Sequence, residues 1–93
     1  MTHEELKQAW AVTVRHLAAS RYYLPHHLEG EALETSKQME HFLHHNEFEL
    51  AFGEAEALGD LCEANAAFWN ELRLAAQSMD LGDAIARLAR RPS

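Results

Sequence analysis

Seven histidines, fifteen carboxylates and a single thiol are the side chains of this 93-residue chain that could ligate a metal or move a proton. His41 and His45 stand four residues apart near the end of a predicted helix, on a face shared with Glu34 and Gln38, so two imidazoles can reach one ion. Zinc needs three or four ligands, and the remaining candidates, His26 and His27, fall in a connector between helices. The reading of these histidines is therefore a solvated helix face, and cationic His near a helix C-terminus complements the helix dipole without any ligand. Cys62 has no base or oxyanion donors arranged around it in sequence and is expected as a small, partly buried helix residue. The chain contains no glycine-rich phosphate loop, no Cys-x-x-Cys, no His-Glu-x-x-His and no nucleophile elbow. With 12 glutamates some must fall close together, and nothing in the sequence dehydrates a pair for acid–base work. The expectation is no catalytic residue, no cofactor and no metal, in a protein that is not an enzyme.

The carboxylates carry more information through their distribution. Residues 1–28 balance at +1, and residues 64–93 also balance at +1. Residues 29–63 set Lys37 against Glu29, Glu31, Glu34, Glu40, Glu47, Glu49, Glu54, Glu56, Asp60 and Glu63, a balance of −9 within a total of −7. Such an acidic block repels phosphate, and the arginines at 87–91 are too few to reverse its field, so nucleic acid is disfavoured as a partner. A basic partner would be attracted instead, although a charged surface also serves solubility alone.

The elements that position these groups follow from composition and period. Sixteen Ala, 13 Leu and 12 Glu against 3 Thr, 2 Val and 1 Ile favour helix over sheet. One cysteine precludes an intrachain disulfide, the first thirty residues contain no signal-peptide core, and no run approaches the ~20 apolar residues of a membrane span, so a cytoplasmic setting is expected. Thr2 with Glu5 is a capping-box pair, and Leu6, Trp10, Thr13, Val14 and Leu17 follow on one face, which predicts a first helix over 2–22 ended by Pro25. A second helix is predicted over 31–45 with Ala32, Ser36, Met39, Phe42 and Leu43 inward. Asn46 closes it and, with Glu49, also reads as the cap of a third, ending near Leu58 at Gly59. Asp60 with Glu63 reads as the cap of a fourth, whose inward stripe is Leu61, Ala64, Phe68, Leu72, Ala75 and Met79 with Trp69 at its edge. A short fifth helix over 83–90 packs Ile85 and Leu88 after a break at Gly82. Phe68, Leu72 and Trp10 are expected in the core, and the pairs Tyr22–Tyr23 and Phe68–Trp69 are expected as core or helix-edge anchors. The fold class is thus an all-α, compact antiparallel bundle of four main helices plus a short C-terminal one, forming a single domain over 1–93.

The third helix has an uncommon surface. Phe48, Ala51, Phe52, Ala55 and Leu58 form an apolar face, with Glu47 and Glu54 along one edge and Glu49 and Glu56 along the other. Its back carries Leu50, Gly53 and Ala57, which predicts either burial on two sides or a docking surface.

The run His44-His45-Asn46-Glu47-Phe48-Glu49-Leu50-Ala51, with Phe68-Trp69-Asn70-Glu71-Leu72 and Ala75-Ala76-Gln77-Ser78-Met79, resembles the small helical immunity proteins of bacterial polymorphic-toxin and contact-dependent inhibition systems, including the Maf-type ones. The likeness spans roughly residues 39–80. It implies a protein made beside a toxin, which it binds and blocks without chemistry of its own. The acidic block independently suits a cover for a basic, nuclease-type toxin domain, with Glu40, Glu47, Glu49, Glu54 and Glu56 as the expected partner-binding residues. The alternatives are a small adaptor or regulator acting by self-association through the back of the third helix and, behind it, a His-based metal-binding regulator.

Overall fold

The computed structural model describes residues 2–91 and places in them five helices and no strand: α1 His3–Arg21, α2 Gly30–His44, α3 Phe48–Leu61, α4 Ala66–Ser78 and α5 Gly82–Ala89. The predicted domain includes Met1, Pro92 and Ser93, which lie outside the described residues. Thr2 caps α1 as its spacing predicts, its hydroxyl oxygen accepting from the Glu5 N–H at 3.2 Å. α1 ends at Arg21, ahead of Pro25, and the connector re-enters helix at Gly30, whose φ of +58° is a left-handed conformation that a Cβ disfavours.

The ends of α2, α3 and α4 share one device, which the sequence reading placed correctly at Asn46 for α2 and missed at the other two. Asn46, Glu63 and Asp80 take φ of +57°, +50° and +55°. The following residue then folds back in each case: Glu47 N–H donates to Phe42 O at 2.9 Å, Ala64 to Gly59 O at 2.9 Å and Leu81 to Ala76 O at 3.0 Å. These are Schellman turns, which satisfy carbonyls that a helix end would otherwise leave without donors. Asn46 therefore stops α2 and does not cap α3, and Asp60 lies inside α3 instead of capping α4. The cap of α4 is Asn65, whose Oδ1 accepts from the Phe68 N–H at 3.1 Å. Gly59 is not a C-terminal cap either. It is buried within α3, where a Cβ would stand 2.3 Å from Phe68 Cε1 and 2.6 Å from Trp69 Cη2, so it permits α4 to approach closely.

The most extensive helix contacts pair α1 with α4 and α2 with α3, while α4 also packs on α3 and carries α5. Thr13 meets Ser78, and His16 Nδ1 lies 2.7 Å from Glu71 Oε2, so α1 and α4 run antiparallel. Glu56 meets Arg87 and Asp60 meets Arg91, so α3 and α5 run parallel with α4 beside both. Leu17, Met39, Ala51, Phe52, Ala55, Leu58, Phe68, Leu72, Ala75, Ala76, Ala84 and Leu88 make the core. Thr13 and Ser20 are buried on α1, where their hydroxyls donate to the carbonyls of Ala9 and Leu17 and so leave no polar hydrogen unmatched.

Three expectations about large side chains fail. Trp10 is 37% exposed, because α1 turns Thr13, Leu17 and Ser20 inward and leaves Trp10 and Val14 at the border of that stripe. Tyr22 and Tyr23 follow the last turn of α1 and face water, Tyr22 at 86% exposure. Leu61 ends α3 exposed and Ala64 lies in the turn after it, so the stripe of α4 starts at Phe68.

Candidate protein-docking face

α3 determines where the acidic residues stand. Its predicted apolar face is buried as a whole, from Phe48 through Ala51, Phe52 and Ala55 to Leu58. The back is not covered: Leu50 is 52% exposed, and Gly53 and Ala57 are exposed with it. Of the two expectations for this surface, burial on two sides is the one overturned.

The edges of α3 diverge from each other along its length. Near the C-terminal end, Glu56 accepts two hydrogen bonds from Arg87, at 2.8 Å from Nε and 2.9 Å from Nη2. One turn on, Asp60 accepts from Arg91 at 2.8 and 3.2 Å, and the Arg91 guanidinium also lies 3.6 Å from the centre of the Trp69 ring. The hydrogen bond and charge of Glu56 push the Arg87 pKa up, so Arg87's part in the clasp is complete below the ordinary guanidinium pKa and fades only as pH climbs through the raised one. Glu56, one of the expected partner-binding residues, is paired here with Arg87 of α5. The sequence gives no sign of this pairing, because the partners are 31 residues apart.

Near the N-terminal end no such clasp exists. Glu47 and Glu49 are exposed, and among the described residues no side-chain hydrogen bond or ion pair engages them. Glu49 lies in the first turn of α3, where its charge complements the helix dipole. Both border an open groove of about 490 Å³ between the N-terminal half of α1, the start of α3 and the end of α4. Its apolar walls include Leu6, Trp10, Phe48, Leu50 and Met79, with the Trp10 and Phe48 rings 6.0 Å apart between centroids. Asp80 supplies a third carboxylate, presented by the left-handed turn that ends α4. Asp80 was missed by sequence reasoning because its nearness to the start of α3 depends on how α4 packs.

None of the protein-family models, curated proteins or solved structures compared with this chain matches it. Its functional reading rests on the residues themselves.

The other expected partner-binding residues lie apart from this groove. Glu54 is half-buried on α3. Glu40 is on α2, beside Leu43 and in a separate depression with Ala18, Arg21 and Met39. The His41 and His45 rings are 4.5 Å apart between centroids, and among the described residues no group of three His, Cys, Asp or Glu is arranged to hold a metal. Cys62 is half-buried at the C-terminal cap of α3, not at the start of α4 as its expected helix placed it. No described helix is long and apolar enough to cross a membrane.

Proposed function

We propose that this protein is an immunity-type inhibitor, which binds a cognate basic toxin domain, of nuclease type, and blocks it by occupying its surface. The observation that carries the reading is the division of carboxylates along α3. Glu56 and Asp60 have internal arginines, whereas among the described residues Glu47, Glu49 and Asp80 stand without one around an open apolar groove. Unmatched carboxylates around a hydrophobic seat suit a cationic protein surface, because they steer its approach and exclude anionic competitors. The resemblance of residues 39–80 to small immunity proteins points to a toxin as that cationic protein. Glu47 and Glu49 are the principal contacts in this reading, Glu54 and Glu40 lie outside them, and Glu56 acts through α5.

The experiment is co-expression with the toxin domain encoded upstream, read as growth rescue, followed by Glu47→Lys/Glu49→Lys in a variant shown to fold. Rescue by the parent and its loss in the double reversal are the expected results. An upstream gene that encodes no toxin, or rescue indifferent to both reversals, rejects the reading. Self-association is favoured as a second reading by the exposed back of α3, and sedimentation of the protein alone tests it.

A further inference from the structure

Resting on that docking face, we propose that the groove between α1, α3 and the end of α4 receives an amphipathic basic segment of the partner. One large apolar side chain enters between Trp10, Phe48 and Leu50, while Lys or Arg residues on either side of it meet Glu47, Glu49 and Asp80. The groove has the composition of an anchor site: aromatic and aliphatic walls that gain from losing water, inside a rim of charge. Its polar floor is engaged internally, since the Thr13 and Ser78 hydroxyls meet each other and lie within hydrogen-bond reach of the Ala9 and Ala75 carbonyls.

The molecule already carries an amphipathic basic segment, packed on α4, whose arginines reach the other end of α3. In α5 and the turn after it, Arg87 and Arg91 stand one turn apart around the buried Leu88, and they fill Glu56 and Asp60, themselves one turn apart on α3. α3 thus already holds arginines of an amphipathic segment through two of its carboxylates, and its first turn combines an apolar seat with acidic groups that no side-chain hydrogen bond or ion pair engages among the described residues. Charge also selects against the other occupants. A nucleic acid would place phosphates on three carboxylates, and a second copy would bring a net charge of −7 against an equal one.

The probe is a synthetic amphipathic helical peptide of about four turns, with two leucines one turn apart flanked by arginines. Binding is measured by calorimetry and by the indole N–H resonances of Trp10 and Trp69. The peptide is expected to shift Trp10 and spare Trp69. Replacing its leucines by serine at constant charge should weaken it roughly tenfold or more, and replacing its arginines by glutamine should do the same. Leu50→Glu, at an exposed position, should abolish the Trp10 shift in a protein that melts like the parent. Glu47→Gln/Glu49→Gln should weaken binding and flatten its salt dependence. A serine peptide that binds as well as the leucine one, a Trp10 signal that does not move, or a Leu50-dependent dimer of the protein alone would overturn the proposal. Growth rescue by Leu50→Glu as complete as by the parent would also overturn it while leaving the toxin reading intact. Peptide binding at Trp10 without any rescue would support the groove and reject the toxin.

Discussion

Along the C-terminal half of α3, Glu56 and Asp60 are held by arginines of the last helix and the turn beyond it, whereas along its N-terminal half Glu47 and Glu49 face water beside Trp10 and Leu50. Both halves belong to one acidic stretch in the sequence, yet among the described residues only one has its carboxylates paired with arginines. The difference teaches that net charge over a segment is not the charge available for recognition. A helix added at the C-terminus turns one part of the block into structure, in bidentate pairs whose planar geometry suits arginine better than lysine. What remains is a smaller face with apolar surface at its centre, which in the proposed reading recognises by shape as well as by charge.

Both halves hang on the same core, so the largest expected effect is to lose them together. Leu72 is fully buried on α4, which packs against α1, α3 and α5. Leu72→Ala should lower stability by about 2–5 kcal/mol, a large share of the ~5–10 kcal/mol expected for so small a domain. Urea or thermal unfolding followed by circular dichroism measures it. A loss below about 0.5 kcal/mol would mean that α4 presents a different face to the core than the structure gives it.

Glycine substitutions separate the two halves with a smaller effect. Gly59 lies under Phe68 and Trp69, and Trp69 in turn carries Arg91. Gly59→Val should force the rings aside, cost about 1–3 kcal/mol and loosen the arginine clasp. Gly53 lies on the open back, with nothing within 4 Å of an added Cβ. Gly53→Ala should therefore raise stability by about 0.5–1 kcal/mol through helix propensity and a less disordered unfolded chain. A destabilised Gly53→Ala protein would reveal a surface pressed against the back of α3.

How much of this was legible beforehand depends on the range over which the information acts. The helices, the buried face of α3 and the inward residues of α2 follow from a period of 3.6, which is a local property. The Asn65 cap and the three left-handed turns were local as well. Asn46 is legible as the end of α2, but Asn46-x-x-Glu49 and Asp60-x-x-Glu63 mimic capping boxes, and glutamate at position 63 is a poor advertisement for a left-handed conformation. Gly59 misled for the opposite reason, since its freedom from a Cβ serves α4 and not a turn. Trp10 at the groove, Asp80 beside α3 and the two arginine clasps were not legible, because each depends on which helices meet.

The smallest effect on stability should accompany the largest effect on binding, and this sharpens the comparison most. Glu47→Lys/Glu49→Lys breaks no internal ion pair, so its cost to the fold is limited to the dipole of α3, about 0.3–1 kcal/mol for a charge in the first turn. Glu56→Gln removes a half-buried carboxylate from the Arg87 clasp and should destabilise more, because the guanidinium keeps its charge and loses its partner. Binding should rank the other way. The reversed pair at the open half should slow association with the basic partner, and the parent's association should slow steeply as salt rises because exposed charges are screened within about 10 Å at 0.1 M. Glu56→Gln, checked to be folded, should leave that association nearly unchanged. Stopped-flow association rates at several salt concentrations, set beside unfolding curves of the same variants, measure both rankings. If Glu56→Gln slows association as much as the reversed pair does, α5 detaches when the partner binds and the closed half of α3 belongs to the docking face after all. If neither variant alters it, the carboxylates of α3 are structural and recognition lies elsewhere on the bundle.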